Sequence, residues 1–368
     1  MTHIIKTRES NFELLRIVSM LMVVTLHFMG HGGILNNVRV GSFNFFIANL
    51  MESFSIYAVN LYILISAYFM CESKITVTKV LKVWTHVVFY GVSIYFLLTA
   101  GGIIKFNIVE LIKAFFPIIF NQYSFVTGYI VLMILSPFLN KMINVMSKEE
   151  STKLLIVLFI FFSILGVGFP ISKMLTNYLT TFIFLYFISA YIKKYTKNKV
   201  NNKYNLLLYI MCSMMIFIGR IILYSINKGS YVDSLLGYEF ILVILGSVGL
   251  FIFVKNIKIQ SSIINKISTL TFGVYLIHDN INIRNILYKN ILNIDNLYNN
   301  KLLILITVIL ILGVFIICSI IEYLRLFLFN VLKIDILIFN LLDIFIKITL
   351  RNTSKIKNKI HNTYFINT

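Results

Sequence analysis

Long apolar runs dominate the chain, and short polar segments separate them. Each run is about 20 residues long, the length that an α-helix needs to cross the hydrocarbon core of a bilayer. Ten such segments lie near residues 12–30, 44–69, 80–99, 124–146, 153–169, 177–193, 206–225, 235–254, 268–288 and 302–321. A further apolar patch within 101–122 is short and contains Pro117, which favours a re-entrant or interfacial stretch. The pattern predicts an all-α, polytopic integral membrane protein, a bundle of about ten transmembrane helices.

The distribution of positive charge predicts the orientation of this bundle. With the N-terminus in the cytoplasm, 23 Lys and Arg residues fall in inner segments and 7 in outer loops. Cytoplasmic loops of membrane proteins carry such an excess, and the bias never inverts along the chain. We therefore expect both termini in the cytoplasm. The formal net charge of +19 is mostly this orientation signal, which leaves little reason to expect nucleic-acid binding.

The two ends of the chain differ in composition. Residues 1–325 hold the ten predicted spans, whereas residues 326–368 mix polar with apolar residues and then turn basic and rich in Asn. This predicts a membrane domain followed by a cytoplasmic amphipathic and basic tail. The loops are too short for a soluble domain, so chemistry is expected within the membrane. The three isolated cysteines predict neither a disulfide framework nor a metal site.

Charged side chains inside the spans need a reason, because a charge at the bilayer centre costs at least about 2.5–3.5 kcal/mol. Arg16 and His27 are eleven residues apart in the first span, so they share one helix face about 16 Å apart along the axis. No structural purpose for this pair is obvious, which favours a functional one. Lys79, Lys82 and His86 share a face at the inner end of the third span. The two lysines are equally explained as topological anchors, and His86 as a helix–helix hydrogen bond.

A second polar layer falls in the outer half of the predicted bundle. It consists of Glu52, Arg220, Glu239, His278, Asp279 and Arg284. A polar cavity that opens to the outside would account for this layer. Arg220 and Glu239 are also explained as a structural ion pair, and His31 as an ordinary loop residue.

The first span carries a family resemblance. Residues 11–28, NFELLRIVSMLMVVTLHF, place ten residues between Arg16 and His27. This segment resembles the membrane-bound acyltransferase 3 family, whose members acylate extracytoplasmic sugars. Three further segments are similar to the family: 60–69 (NLYILISAYF), 129–139 (YIVLMILSPFL) and 272–278 (FGVYLIH). The resemblance runs from about residue 8 to residue 325 and implies a ten-helix bundle.

Three segments depart from the family pattern. Lys79 and Lys82 stand where relatives often carry two arginines, so the charge is kept and the bidentate phosphate geometry is lost. Ala67 replaces a usual glycine. Tyr123-Ser124 stands where many relatives have a Trp before the fourth span.

The resemblance implies a membrane O-acyltransferase of the bacterial cytoplasmic membrane. It would move an acyl group, by family default acetyl, from cytoplasmic acyl-CoA to a hydroxyl of an extracytoplasmic or lipid-linked polysaccharide of the cell envelope. Acyl-CoA would be the donor substrate, with no permanently bound cofactor. The expected partners are this glycan and membrane lipid, and self-association stays open. The alternative is a glycan-lipid carrier or flippase without acyl transfer, against which the missing internal repeats count.

The resemblance also implies roles for individual residues. Arg16, Lys79 and Lys82 would bind the CoA phosphates. His27 and Arg16 would be catalytic, with His27 acting either as general base on the acceptor hydroxyl or as an acyl-imidazole carrier. The candidates to support the acceptor are Tyr123, Tyr275, His278 and Glu52.

Overall fold

The computed structural model describes residues 8–165, 177–196 and 201–334, which form helices and turns and, within these ranges, no strand. The α-helices are α1 (Ser10–Gly30), α2 (Ile34–Asn37), α3 (Phe43–Ser55), α4 (Ala58–Met70), α5 (Val77–Ala100), α6 (Ile108–Phe115), α7 (Ser124–Val145), α8 (Lys148–Phe159), α9 (Tyr178–Tyr195), α10 (Asn202–Ser225), α11 (Ile241–Lys255), α12 (Ser262–Ser268), α13 (Thr271–His278), α14 (Ile281–Asn285) and α15 (Leu303–Val331). Short π- or 3₁₀-helical segments cover Ile160–Leu165, Gly229–Leu236, Ile286–Ile291 and Ile294–Leu297. The fold is an all-α membrane bundle, as predicted.

Seven helical segments among the described residues are long and apolar enough to cross a membrane. They are Ser10–Asn37, Phe43–Met70, Val77–Ala100, Ser124–Val145, Asn202–Ser225, Gly229–Lys255 and Leu303–Val331. Each coincides with one of the ten predicted spans. The patch around Pro117 holds only the eight-residue α6, which is too short to span.

The count of ten is not confirmed, because the other three predicted spans do not meet the same test. The segment 153–169 is helical up to Leu165, and its remaining residues lie outside the described ranges. The segment 177–193 corresponds to the 18 residues of α9. The segment 268–288 is not one continuous helix.

The break in 268–288 comes from its polar sequence His278-Asp279-Asn280. Helix α13 ends at His278, and Asn280 begins α14 by accepting a hydrogen bond from the backbone N–H of Asn282 through its side-chain oxygen, at 2.9 Å. An Asn side chain competes with the helix for backbone groups in this way. The segment is therefore interrupted rather than one continuous helix, its crossing of the membrane stays a prediction, and the interruption leaves Asp279 between two helix ends.

Helix α1 is the central element of the bundle. It packs against α3, α4, α11, α12 and α13. Its first turn is tied to the end of α11 and to the segment after it. Asn11 donates through Nδ2 to the carbonyls of Val254 (3.1 Å) and Lys255 (3.2 Å) at the end of α11, and Ser10 accepts from the N–H of Ser261 (3.0 Å). These bonds fix α1 along its axis, so its functional side chains have a defined depth.

Two compact units divide the chain within α15, Met1–Ser319 and Ile320–Thr368. The first contains α1 to α14 and the polar residues discussed below. In the second, Arg325 forms a closed ion pair with Glu322, with Nε on Oε2 at 2.8 Å and Nη2 on Oε1 at 2.6 Å. The predicted boundary after residue 325 falls within α15 and stays a prediction. Of the predicted tail, residues 326–368, the part after residue 334 lies outside the described residues.

Candidate active site

Arg16 and His27 line one elongated cavity of about 640 Å³. Both project from the same face of α1, as their spacing of eleven residues predicts, and the helix rise separates them by about 16 Å. The wall between them is mostly apolar and aromatic, including Met20, Val23 and Tyr62. The cavity therefore has two polar ends, which we name the Arg16 end and the His27 end.

At the His27 end, two histidines form a directed hydrogen-bond chain. His278 Nδ1 lies 2.6 Å from the carbonyl oxygen of Val274, and its Nε2 lies 3.0 Å from His27 Nδ1. A carbonyl only accepts, so the proton of neutral His278 is on Nδ1, and its Nε2 accepts from the Nδ1–H of His27. The lone pair of His27 then lies on Nε2. This nitrogen has no hydrogen-bond partner among the described residues.

The carboxylate of Asp279 lies close to three basic side chains at the His27 end. Its Oδ1 lies 3.4 Å from His27 Nδ1, 3.6 Å from His31 Nε2 and 2.8 Å from Arg284 Nε. Arg284 Nε also donates to the backbone oxygen of Asp279 at 3.0 Å. The carboxylate is 5% exposed, whereas the Arg284 side chain is 30% exposed and lines the cavity. The nearly buried carboxylate thus lies at the cavity wall next to three basic groups.

Three of these residues could also hold a metal ion. Potential ligand atoms of His27, His31 and Asp279 lie within 4.8 Å of one another. A cation there would compete with Arg284 for Asp279 Oδ1, because the guanidinium already holds that oxygen at 2.8 Å. The expectation that the site takes no metal stays a prediction.

The Arg16 end is positively charged. Arg16 Nη1 pairs with Glu13 Oε1 at 2.6 Å, and Glu13 Oε2 accepts from Ser268 Oγ at 2.5 Å. Tyr62 donates to the backbone oxygen of Arg16 at 2.9 Å. Arg8 lines the same end of the cavity, so two arginines face a single carboxylate.

The predicted supporting residues occupy different places. Tyr275 lines the cavity. Tyr123 is buried and donates to the carbonyl of Leu276 (2.9 Å) while it accepts from Asn280 Nδ2 (2.8 Å). It therefore holds the broken segment around Asp279 in place. Glu52 is buried in α3 and does not line the cavity.

The predicted donor-binding lysines do not line the cavity either. Lys79 Nζ donates to the carbonyl of Lys74 at 2.9 Å, and the side chain of α5 that reaches the cavity wall from this turn is Val83. Their role in donor binding stays a prediction.

Sequence reasoning missed four residues of the cavity wall. The sequence predicts His31 as a loop residue, Arg8 as a charge of the inner segment, and Asp279 and Arg284 as members of the outer polar layer with no assigned role. The spacing of His27 and His31 at i and i+4 was a usable signal for His31, because it puts both on one helix face. For Asp279 and Arg284 the usable signal was the polar sequence 278–280, which interrupts the apolar run 268–288.

A family model described as an acyltransferase domain matches residues 9–323. No curated protein and no solved structure matches the chain. The match covers most of the chain and includes every residue of the cavity wall named above except Arg8. The chain belongs to the acyltransferase 3 family, and it is a membrane-bound acyltransferase.

Proposed function

We propose that the protein transfers an acyl group, acetyl in the simplest case, from cytoplasmic acyl-CoA to a hydroxyl group of an extracytoplasmic or lipid-linked polysaccharide. The observation that carries the proposal is the two-ended cavity. One end presents Arg8 and Arg16, and the other presents His27 Nε2, which has no hydrogen-bond partner in the described part of the chain. A donor with phosphates at one end and a reactive thioester at the other suits that separation.

The Arg16 end suits the phosphates of CoA. Guanidinium groups bind phosphate oxygens with paired N–H groups, and among the described residues that line this end Glu13 carries the one carboxylate, which pairs with Arg16. The pantetheine arm would then extend along the apolar middle of the cavity towards His27. Arg16 accordingly acts in donor binding, because one side chain does not bridge about 16 Å to the bond that reacts.

His27 suits the role of general base. Its Nε2 takes the proton of the acceptor hydroxyl while the oxygen attacks the thioester carbonyl. The carbon–sulfur bond breaks, and the proton passes from His27 to the leaving thiolate, which gives free CoA. Asp279, 3.4 Å from His27 Nδ1, stabilises the imidazolium that forms between these steps. Such acid–base catalysis contributes about 10²–10⁴-fold.

The acceptor sugar suits the aromatic part of the wall near Tyr275. Ring contacts run from Tyr275 through Phe125 and Phe182 to Tyr178, whose ring lies 5.7 Å from that of Tyr238. Tyr178 and Tyr238 line the same cavity. They offer flat apolar surfaces and hydroxyl groups, the combination by which a pocket binds a polar ring with apolar faces.

The test uses membranes from the native host, which contain the glycan, and radiolabelled acetyl-CoA. We expect wild-type protein to place label on glycan, and His27→Ala to lower the rate by at least about 10²-fold at unchanged protein amount. Label on glycan at the wild-type rate with His27→Ala would overturn the role of His27. Glycan that moves across the membrane with no dependence on acyl-CoA would favour a carrier instead.

The donor end has its own prediction. Arg16→Gln is expected to raise the KM for acyl-CoA about tenfold with a smaller change in kcat, because it removes a charge-assisted contact to phosphate. The double variant Lys79→Gln/Lys82→Gln is compared in the same assay. A raised KM would support the predicted donor role of the lysines, whereas a change in protein yield alone would identify them as topological anchors.

A further inference from the structure

Arg284 at the His27 end uses only one of its three guanidinium nitrogens within the described residues. Its Nε donates to Asp279 twice, to Oδ1 at 2.8 Å and to the backbone oxygen at 3.0 Å. A guanidinium has five N–H groups, so four of them, on Nη1 and Nη2, find no acceptor there. The side chain is 30% exposed and lines the cavity. An unsatisfied fork of donors therefore borders the space in which the acceptor reacts.

A structural ion pair in the same chain has a different geometry. Arg325 meets Glu322 with Nε on one carboxylate oxygen and Nη2 on the other, at 2.8 and 2.6 Å, which closes the fork. At Arg284, Asp279 takes Nε alone and leaves the edge formed by Nη1 and Nη2 open. Asp279 therefore holds Arg284 in place through Nε and leaves the N–H groups of Nη1 and Nη2 available for a ligand.

The charges at this end are also arranged unevenly. The carboxylate of Asp279 is 5% exposed and already faces His27, His31 and Arg284, so it has little capacity for a ligand. The groups that remain exposed are the guanidinium of Arg284 and the imidazole of His31, which is 38% exposed. Both partners of the ion pair line the cavity, and the positive one is the more exposed of the two. The exposed N–H donors at this end would therefore bind a ligand that offers acceptor oxygens.

We propose that Arg284 forms a subsite for an anionic group of the acceptor, a carboxylate or a phosphate close to the acylated hydroxyl. Two anionic oxygens match the spacing of the Nη1 and Nη2 donors, whereas a neutral hydroxyl offers only one. The acceptor is then an acidic glycan or a phosphate-bearing one. This inference rests on the proposed acyl transfer and specifies its substrate class.

The experiment analyses the glycan that wild-type protein labels from radiolabelled acetyl-CoA in native-host membranes. Labelled oligosaccharides are released under mild conditions and separated by anion exchange. We expect the label in the retained, anionic fraction. Phosphatase or hydrofluoric acid treatment abolishes retention if the anion is a phosphate, and carbodiimide-mediated reduction abolishes it if the anion is a carboxylate. Label confined to the neutral fraction overturns the proposal, whereas no label at all overturns the proposed function instead.

Kinetics of Arg284 variants test the residue itself. Arg284→Gln is expected to raise the KM for membrane glycan at least about tenfold, since a hydrogen-bonded charge contact is removed, with a smaller effect on kcat. The matched control is Arg39→Gln, an exposed arginine in the loop after α2 that does not line the cavity, and it is expected to leave the KM unchanged.

Two results would overturn the role of Arg284. A fall in kcat at unchanged glycan KM would mean that Arg284 acts on His27 or on the reacting carbonyl. An equal rise of KM in Arg39→Gln would mean a general charge effect. Should Arg284→Gln not accumulate, Arg284→Lys keeps the charge without the fork; it is expected to raise the glycan KM several-fold, and an unchanged KM would likewise overturn the proposal.

Discussion

His278 decides which nitrogen of His27 can act as a base. The backbone oxygen of Val274 fixes the proton of His278 on Nδ1, and His278 in turn fixes the proton of His27 on Nδ1. The reactive lone pair is thereby placed on Nε2, the nitrogen that has no hydrogen-bond partner in the ranges that the structure describes. His278 is a positioning residue in this arrangement, since it acts through His27 and has no exposed surface of its own.

Two substitutions of His278 separate positioning from packing. His278→Leu removes the acceptor for His27 Nδ1–H and is expected to lower kcat about 10²-fold with little change in the KM for acyl-CoA. His278→Gln offers Oε1 as a replacement acceptor and is expected to recover a large part of that loss. Steady-state kinetics on equal amounts of folded protein check this. Equal kcat for the leucine variant and the wild type would contradict the hydrogen-bond chain.

At the scale of elements, small residues let α10 and α11 approach closely. A Cβ atom on Gly249 of α11 would lie 2.8 Å from the backbone oxygen of Asn205 in α10. On Gly246 it would lie 2.3 Å from the ring of Tyr57, which is buried before α4. Helices in membranes associate through such close backbone contacts, because no hydrophobic force drives them together in lipid.

Gly249→Ala is therefore expected to reduce stability by about 1–3 kcal/mol, since backbone atoms of α10 must move to make room. The matched control is Gly313→Ala in α15, where a Cβ meets no atom within 4 Å and helix propensity alone favours alanine by up to about 1 kcal/mol. Thermal unfolding of the two purified variants in one detergent checks that Gly249→Ala lowers the Tm and Gly313→Ala raises it, each relative to wild type. A similar Tm for both would show that the contact between α10 and α11 is not tight.

The interruption after α13 is the element-scale feature on which the site depends. At the break, the backbone oxygen of Asp279 accepts from Arg284 Nε at 3.0 Å, a side-chain donor in place of a helix backbone N–H. Tyr123 of the segment before α7 bonds both Leu276 and Asn280 and braces the break. The irregular backbone faces a cavity and neighbouring helices, which is where membrane proteins tolerate it.

At the scale of the whole molecule, the charge bias predicts that the His27 end of the cavity faces the outside and the Arg16 end faces the cytoplasm. The exposed positions Arg39 and Lys148 test this orientation. A membrane-impermeant maleimide should label Arg39→Cys in intact cells and Lys148→Cys only after the membrane is opened. The three native cysteines are buried, so they add little background. The reverse labelling pattern would contradict the orientation and the direction of acyl transfer with it.

Local information in the sequence determined much of this protein. The length of the apolar runs predicted the all-α membrane fold, and seven of the ten predicted spans coincide with helical segments long and apolar enough to cross a membrane. The spacing of Arg16 and His27 predicted a shared helix face, and both line one cavity. These predictions succeed because helix length and helix periodicity depend on residues that are close in sequence.

The tertiary structure alone decided which groups meet at the two ends of the cavity. His27 and His278 are 251 positions apart, and Tyr123 and Asn280 are 157 apart. Hydropathy averages over the polar residues 278–280, so it predicted one continuous span where the structure has a break. Arg8 lines the cavity together with Arg16. Lys79 and Lys82, which the sequence predicts at the donor site, do not line it. Partners of this kind depend on how distant helices pack against each other, and no local pattern in the chain encodes that.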